Sequence, residues 1–157
     1  MTRRDYEAAS DIIKRSSSAD FVGERHERLI CAAENALGIR FPELYRRFVS
    51  EFGAGDIGGN EFYGVLSEDF VHSSVPDAVW KTLELRQRTG SSNQYIVIHE
   101  FGDGTYCAID TSRHSTDGDV PIVLLSINGD YLEDIAVDFG EFLLTMVGAE
   151  NSGDCQH

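Results

Sequence analysis

Apolar residues recur at three- and four-residue spacing in five stretches of the chain and at shorter, alternating spacing in others. Tyr6, Ala9, Ile12 and Ile13 predict a helix over 4–14, which the run from Ser16 to Asp20 breaks. Leu29, Ile30, Ala33, Ala36 and Leu37 predict a second over 24–37, closed by Gly38. Pro42 opens a third, where its missing N–H costs nothing; Leu44, Tyr45, Phe48, Val49 and Phe52 give it a buried face, and Gly53 ends it. A fourth runs over 75–88, with Pro76 in its first turn and Val79, Trp80 and Leu83 inward. The last starts at Asp138, where Asp138 and Glu141 have capping-box spacing and Phe139, Phe142, Leu143, Met146 and Val147 form the stripe.

From Tyr95 the period becomes two. Strands are predicted over 95–101, 105–111, 121–127 and, more weakly, 131–137, with an earlier one over 60–66. Asp103-Gly104 reads as a two-residue type I′ hairpin turn, which sets Phe101 against Tyr106, Ile98 against Ile109 and His99 against Ala108. Consecutive strands with short polar turns favour antiparallel pairing. The expected fold is α+β: a curved, mainly antiparallel sheet of about four to six strands packed against helices. The 157 residues make one domain, with a core over about 20–147 and a flexible tail over 148–157.

Gly53, Gly55 and Gly58 match the G-x-G-x-x-G spacing of a dinucleotide site. That fingerprint needs a strand before it and a helix after it, and here the order is reversed, so the run reads as a flexible glycine turn. No P-loop, G-x-S-x-G elbow or H-E-x-x-H motif is present. Asp103 and Asp110 lack the alternation and closing Glu of a calcium loop, and no metal or cofactor is expected. Cys107 and His99 point to opposite faces in the register above, which argues against a nucleophile pair.

Charge changes the picture more than composition does. The net charge is −14, and it is unevenly placed. Residues 1–53 hold nine basic and nine acidic residues; residues 54–157 hold four basic and eighteen acidic, and with them the whole excess. Such a field repels nucleic-acid phosphates and speeds encounter with basic surfaces, although it also serves solubility. Cys31, Cys107 and Cys155 are odd in number and form no CxxC pair, so they read as two buried apolar residues and one thiol in the tail. No apolar run is long enough for a membrane span, and the arginines near the N-terminus precede no signal-peptide core, so a cytoplasmic protein is expected.

The run from Ala32 to Gly55, "AAENALGIRFPELYRRFVSEFGAG", resembles the signature of the SUKH superfamily at Glu34, Leu37, Gly38, Phe41, Pro42, Tyr45, Phe48, Phe52, Gly53 and Gly55. The series continues in order through "FYGV" (62–65), "IVIHEFGDGTYCAIDTS" (96–112), "DVPIVLL" (119–125) and "IAVDFGEFLLTMV" (135–147). The resemblance implies the same α+β fold. It implies a binding protein rather than an enzyme, since no shared catalytic residues are established in the superfamily. Many relatives are bacterial immunity proteins that neutralise a cognate polymorphic toxin, often a nuclease. Others are regulatory modules, including a fungal regulator of cell-wall synthesis.

On that footing the expected partner is a toxin protein bound through an acidic surface. Direct contact with nucleic acid or membrane is not expected, and the chain is expected to be a monomer or weak homodimer. Candidate contact residues are the acids of predicted loops and strand ends: Asp56, Glu61, Glu68, Asp69, Asp103, Asp117, Asp119, Asp130, Glu133 and Asp134. Tyr63, Tyr106 and Tyr131 are candidate anchors, since tyrosine favours interfaces, with a core position as the alternative.

Overall fold

The helical stripes of the sequence become buried faces in the computed structural model, which describes residues 2–90, 93–116 and 118–155. Helix α1 (Thr2–Arg15) buries Tyr6, Ala9 and Ile13 and packs along the last helix. Strand β1 (Ala19–Phe21) follows, then α2 (Glu27–Leu37) and α3 (Glu43–Phe52). Helix α2 starts three residues later than its periodicity suggests, because Arg25 N–H is spent on the Ser50 carbonyl at 3.1 Å. Gly38, at φ 71°, closes α2 and returns its N–H to Glu34 O at 2.8 Å. The buried Glu34 carboxylate takes the Phe41 N–H at 2.8 Å and Arg46 Nε at 3.3 Å, which fixes the link into α3. Tyr45 donates to the Tyr63 carbonyl at 2.8 Å, and Phe48 meets Phe21, Phe52, Phe62 and Phe139 at ring distances of 5.2–6.3 Å.

The glycine run is ordered structure, contrary to its reading as a flexible turn. Strands β2 (Gly55–Ile57) and β3 (Asn60–Phe62) lie within and just after it. Gly58 and Gly59 both have positive φ and join Ile57 to its partner Asn60, so the two-residue hairpin sits here. A Cβ on Gly55 would stand 2.2 Å from the Asp20 carbonyl oxygen, which is why glycine lies opposite β1. β1 itself escapes periodicity, since three residues are too few to show an alternation.

Helix α4 (Ala78–Thr89) begins after a cis Val75–Pro76 bond, so Pro76 precedes the helix instead of standing in its first turn. Its inward side is Val79, Thr82 and Leu85, with Trp80 and Leu83 half-buried. Asp77 caps it: Oδ1 accepts from Val79 N–H at 2.9 Å and Trp80 N–H at 3.2 Å. The residue is fully buried, and Oδ2 meets no donor at good geometry. Burial raises the Asp77 pKa against the smaller opposing pull of Ser73 and the two N–H groups. A raised carboxyl pKa means that the charged form costs stability above the folded pKa and costs none below the unfolded one. Asn keeps the cap without the charge. Asp77→Asn is therefore expected to raise stability at pH 7 by about 1 kcal/mol. The gain should shrink as pH falls through the folded pKa and vanish below about pH 4. Thermal unfolding at pH 4 and pH 7 checks this; a gain equal at both, or a loss at pH 7, removes the buried charge as the cause.

Strands β4 (Tyr95–Glu100), β5 (Tyr106–Asp110), β6 (Ile122–Leu125) and β7 (Tyr131–Ala136) form an antiparallel meander, and β1-β2-β3 a second antiparallel sheet. The expected single curved sheet is thus two. They meet where Tyr63 N–H bonds Ile98 O at 2.8 Å, beside a bulge between Val97 and His99. The architecture is α+β.

The β4–β5 hairpin differs from the predicted turn. Phe101 N–H bonds Thr105 O at 2.9 Å, so the loop is the three residues Gly102 to Gly104, with Gly104 at φ 91° and Asp103 in ordinary backbone. The Asp103 carboxylate holds this form by accepting Thr105 N–H at 3.0 Å and Thr105 Oγ1–H at 2.7 Å. The register moves, and His99 lies opposite Cys107 rather than Ala108.

Helix α5 (Phe139–Cys155) closes the fold. Its start carries the cap half of the predicted box, with Glu141 N–H on Asp138 Oδ1 at 2.9 Å, while Glu141 Oε1 accepts the N–H of Val137, one residue before the cap, at 2.9 Å. It runs on through 148–155, where the sequence predicts a flexible tail. No proline stands there to stop it, and an interior glycine costs only about 1 kcal/mol.

Candidate partner-binding surface

The outer face of the β1-β2-β3 sheet carries a row of carboxylates. Asp20 pairs across the strands with Asp56, and Asp56 with Glu61. Cross-strand partners share a face, and here that face is turned from the core, because alternate residues Phe21, Ile57 and Phe62 pack inward. Among the described residues none of the three makes an ion pair or a side-chain hydrogen bond. Sequence reasoning named Asp56 and Glu61 but missed Asp20, since "SSSAD" reads as a helix break and only β1 brings Asp20 beside them.

The other acids lie on other loops and strands, and only some of them are engaged. Asp103 sits exposed at the β4–β5 tip, held well charged by its bonds from Thr105. Glu68 and Asp69 lie exposed in the loop before α4. Asp69 accepts His72 N–H at 3.0 Å and Val71 N–H at 3.2 Å, which lowers its pKa. Asp130 and Glu133 are exposed on or before β7. Asp134 is already engaged: Arg113 grips both its oxygens, at 2.6 and 3.2 Å, and Tyr131 donates to it at 2.9 Å, so its pKa is lowered first by Arg113. Arg113 Nε also holds Asp110, at 3.1 Å. Asp119 is half-buried beside β7. Asp117 lies outside the described residues.

Of the three tyrosines Tyr131 is the exposed one. Tyr63 and Tyr106 are buried, which matches the core position that is the alternative in their reading. Tyr63 OH reaches Glu100 at 3.4 Å. Tyr106 OH accepts Arg88 Nη2–H at 3.1 Å, and Lys81 Nζ stands 5.1 Å from the ring centre. Both rings extend the core at its rim, and periodicity cannot separate that from an interface position.

His99 and Cys107 are neighbours in the true register, yet their environment opposes nucleophilic chemistry. Burial pushes the Cys107 thiol up to about 12, away from thiolate. Burial also lowers the His99 pKa, and its Nδ1 stands 2.6 Å from the Glu61 carbonyl oxygen, which only an N–H can satisfy. Cys31, expected in the core, is exposed on α2 and donates to Glu27 at 3.4 Å. Arg46 grips the same carboxylate and brings it down to about 2. Among the described residues no group of three or more His, Cys, Asp or Glu is arranged to hold a metal ion, and no helix is long and apolar enough to cross a membrane.

Comparison with known proteins agrees with the fold. The family model described as SUKH_5, SMI1-KNR4 cell-wall, matches residues 6–147. A crystal structure of a protein from Pseudomonas syringae pv. tomato is similar over 89% of this chain and 93% of its own, with a TM-score of 0.63 at 14% identity, a likeness of fold. No curated protein matches the chain.

Proposed function

The chain belongs to the SMI1-KNR4 (SUKH) family, and from that premise we propose that it is an immunity protein that binds and neutralises a toxin domain through its acidic surface. The observation that carries the reading is the row Asp20, Asp56 and Glu61. Like charges directly across strands destabilise a sheet, and here three stand in register without a cation to offset them. Such an arrangement suits a partner that supplies the positive charge. A nuclease has to present basic groups to phosphate, so an acidic protein can cover that surface, exclude substrate and associate quickly. Asp103 at the hairpin tip and Glu68 in the loop before α4 extend the negative field on other loops. The partner is thus a protein with a basic active face, and the contact pairs carboxylate with guanidinium or ammonium.

Co-expression tests this directly. The C-terminal domain of any large secreted protein encoded beside this chain is produced in a heterologous bacterium, with and without the chain. Growth arrest relieved only by this chain is the expected result. Arrest without relief overturns immunity and leaves a regulatory protein-binding module, the other role known among relatives, as the reading to pursue by pull-down.

A further inference from the structure

We propose that the groove between β7 and residues Arg113, His114, Ser115, Asp119 and Pro121 seats an extended segment of a protein partner that alternates lysine or arginine with small apolar residues. Strand β7 is the last in its sheet and pairs with β6 alone. It is exposed along almost its whole length: Tyr131 is 51%, Leu132 50% and, just beyond it, Val137 57% exposed. An edge this apolar is a liability unless it is used or protected. Two register shifts against β6 place bulges at Leu132 and Ile135, and these disturb the backbone ladder that an added strand would need. Recognition here therefore runs through side chains.

The groove has an apolar floor and an acidic rim. Its volume is about 530 Å³; Pro121, Ile135 and Val137 line it, with Asp119, Asp134 and Glu141 around them. Its one guanidinium, Arg113, is committed to Asp134 and Asp110. Two carboxylates remain without a cation among the lining residues, Asp119 and Glu141. Glu141 is held in place by the Val137 N–H on one oxygen. A lysine or arginine fits both features at once: its methylene stem lies on the apolar floor and its head reaches the rim. A second copy of the chain fits poorly, since a net charge of −14 sets like charges against each other.

This inference rests on the reading that the partner is a protein, but its test needs no toxin. The probe is a capped hexapeptide alternating lysine and valine, titrated into the ¹⁵N-labelled full chain. Shifts confined to β7 and to residues 113–115 and 119–121 are expected, with binding weakened at least about tenfold by Ile135→Ser plus Val137→Ser. Asp119→Asn should weaken it too, and this variant decides the matter if the double variant unfolds. A lysine–serine peptide that binds equally well removes the apolar floor, and a glutamate–valine peptide that does so removes the acidic rim. Absence of binding, or sedimentation as a dimer that the double substitution dissociates, overturns the proposal. Failure of toxin rescue leaves a positive result here standing, and the converse also holds.

Discussion

Gly64→Ala is expected to lower stability by at least about 3 kcal/mol, a large part of what a domain of this size has. A Cβ at this position would stand 1.7 Å from the Gly53 carbonyl oxygen and 2.8 Å from its carbon. These are backbone atoms, so no side chain can swing aside. Gly53 is held in turn, because its oxygen accepts the Val65 N–H at 3.2 Å and its own N–H closes α3 on Val49 O at 2.9 Å. Gly64 is held as firmly on its other side: its N–H bonds Pro76 O at 2.9 Å and its carbonyl takes Ala78 N–H at 2.7 Å. The residue ties the end of α3 to the start of α4, and moving it breaks one or the other. Gly59→Ala is the control. Gly59 has φ 90° with no atom within 4 Å of a Cβ, so only backbone strain of about 1 kcal/mol is expected there. Urea unfolding followed by circular dichroism separates the two. Equal midpoints for both variants would mean that the α3–α4 junction relaxes and that close approach is not why glycine stands at position 64.

That contrast shows what could be read from the sequence and what could not. Helices α1 to α5 were legible because each buries a stripe with a period near 3.6, and the capping box at Asp138 and Glu141 was legible because it is local. The β4–β7 meander followed from alternation and short polar turns. The glycine run was misjudged because its glycines serve non-local needs. Gly55 faces the Asp20 carbonyl, and Gly53 meets Gly64 across the chain. The hairpin at Asp103 was misplaced by one residue because Thr105 offers the Asp103 carboxylate two donors, a side-chain choice that turn statistics do not weigh. A shift of one residue then decides which side chains share a face, which is how His99 came to lie opposite Cys107. The candidate surface was half legible for the same reason. Acidity can be counted, but the row needs Asp20, and Asp20 joins it only through a three-residue strand whose existence depends on β2.

Neutralising the row is expected to move stability and binding in opposite directions. In Asp20→Asn, Asp56→Asn, Glu61→Gln the shapes are nearly kept, while two like-charge cross-strand contacts are removed. Each such pair is worth a few tenths to about 1 kcal/mol, so the triple variant should be more stable than the parent by about 1 kcal/mol at low salt. Salt screens exposed charges, and the difference should fall towards zero near 1 M, where the Debye length is about 3 Å. Association with a basic partner should respond the other way. Loss of steering slows the on-rate by about tenfold or more at low ionic strength and flattens its salt dependence. Together the two readouts separate a surface kept for solubility from one kept for a partner. A solubility surface is under no need to place its charges in register, because the same charges spread apart keep the chain soluble without the repulsion. A binding surface gains from the concentration and accepts the lower stability, as functional sites commonly do. A triple variant that is no more stable than the parent would show that the row carries no repulsion, and the physical ground for placing the partner there would be gone. If the variant is more stable yet rescues growth from the toxin as fast as the parent, the immunity reading survives and its contact moves elsewhere, to the β7 groove first.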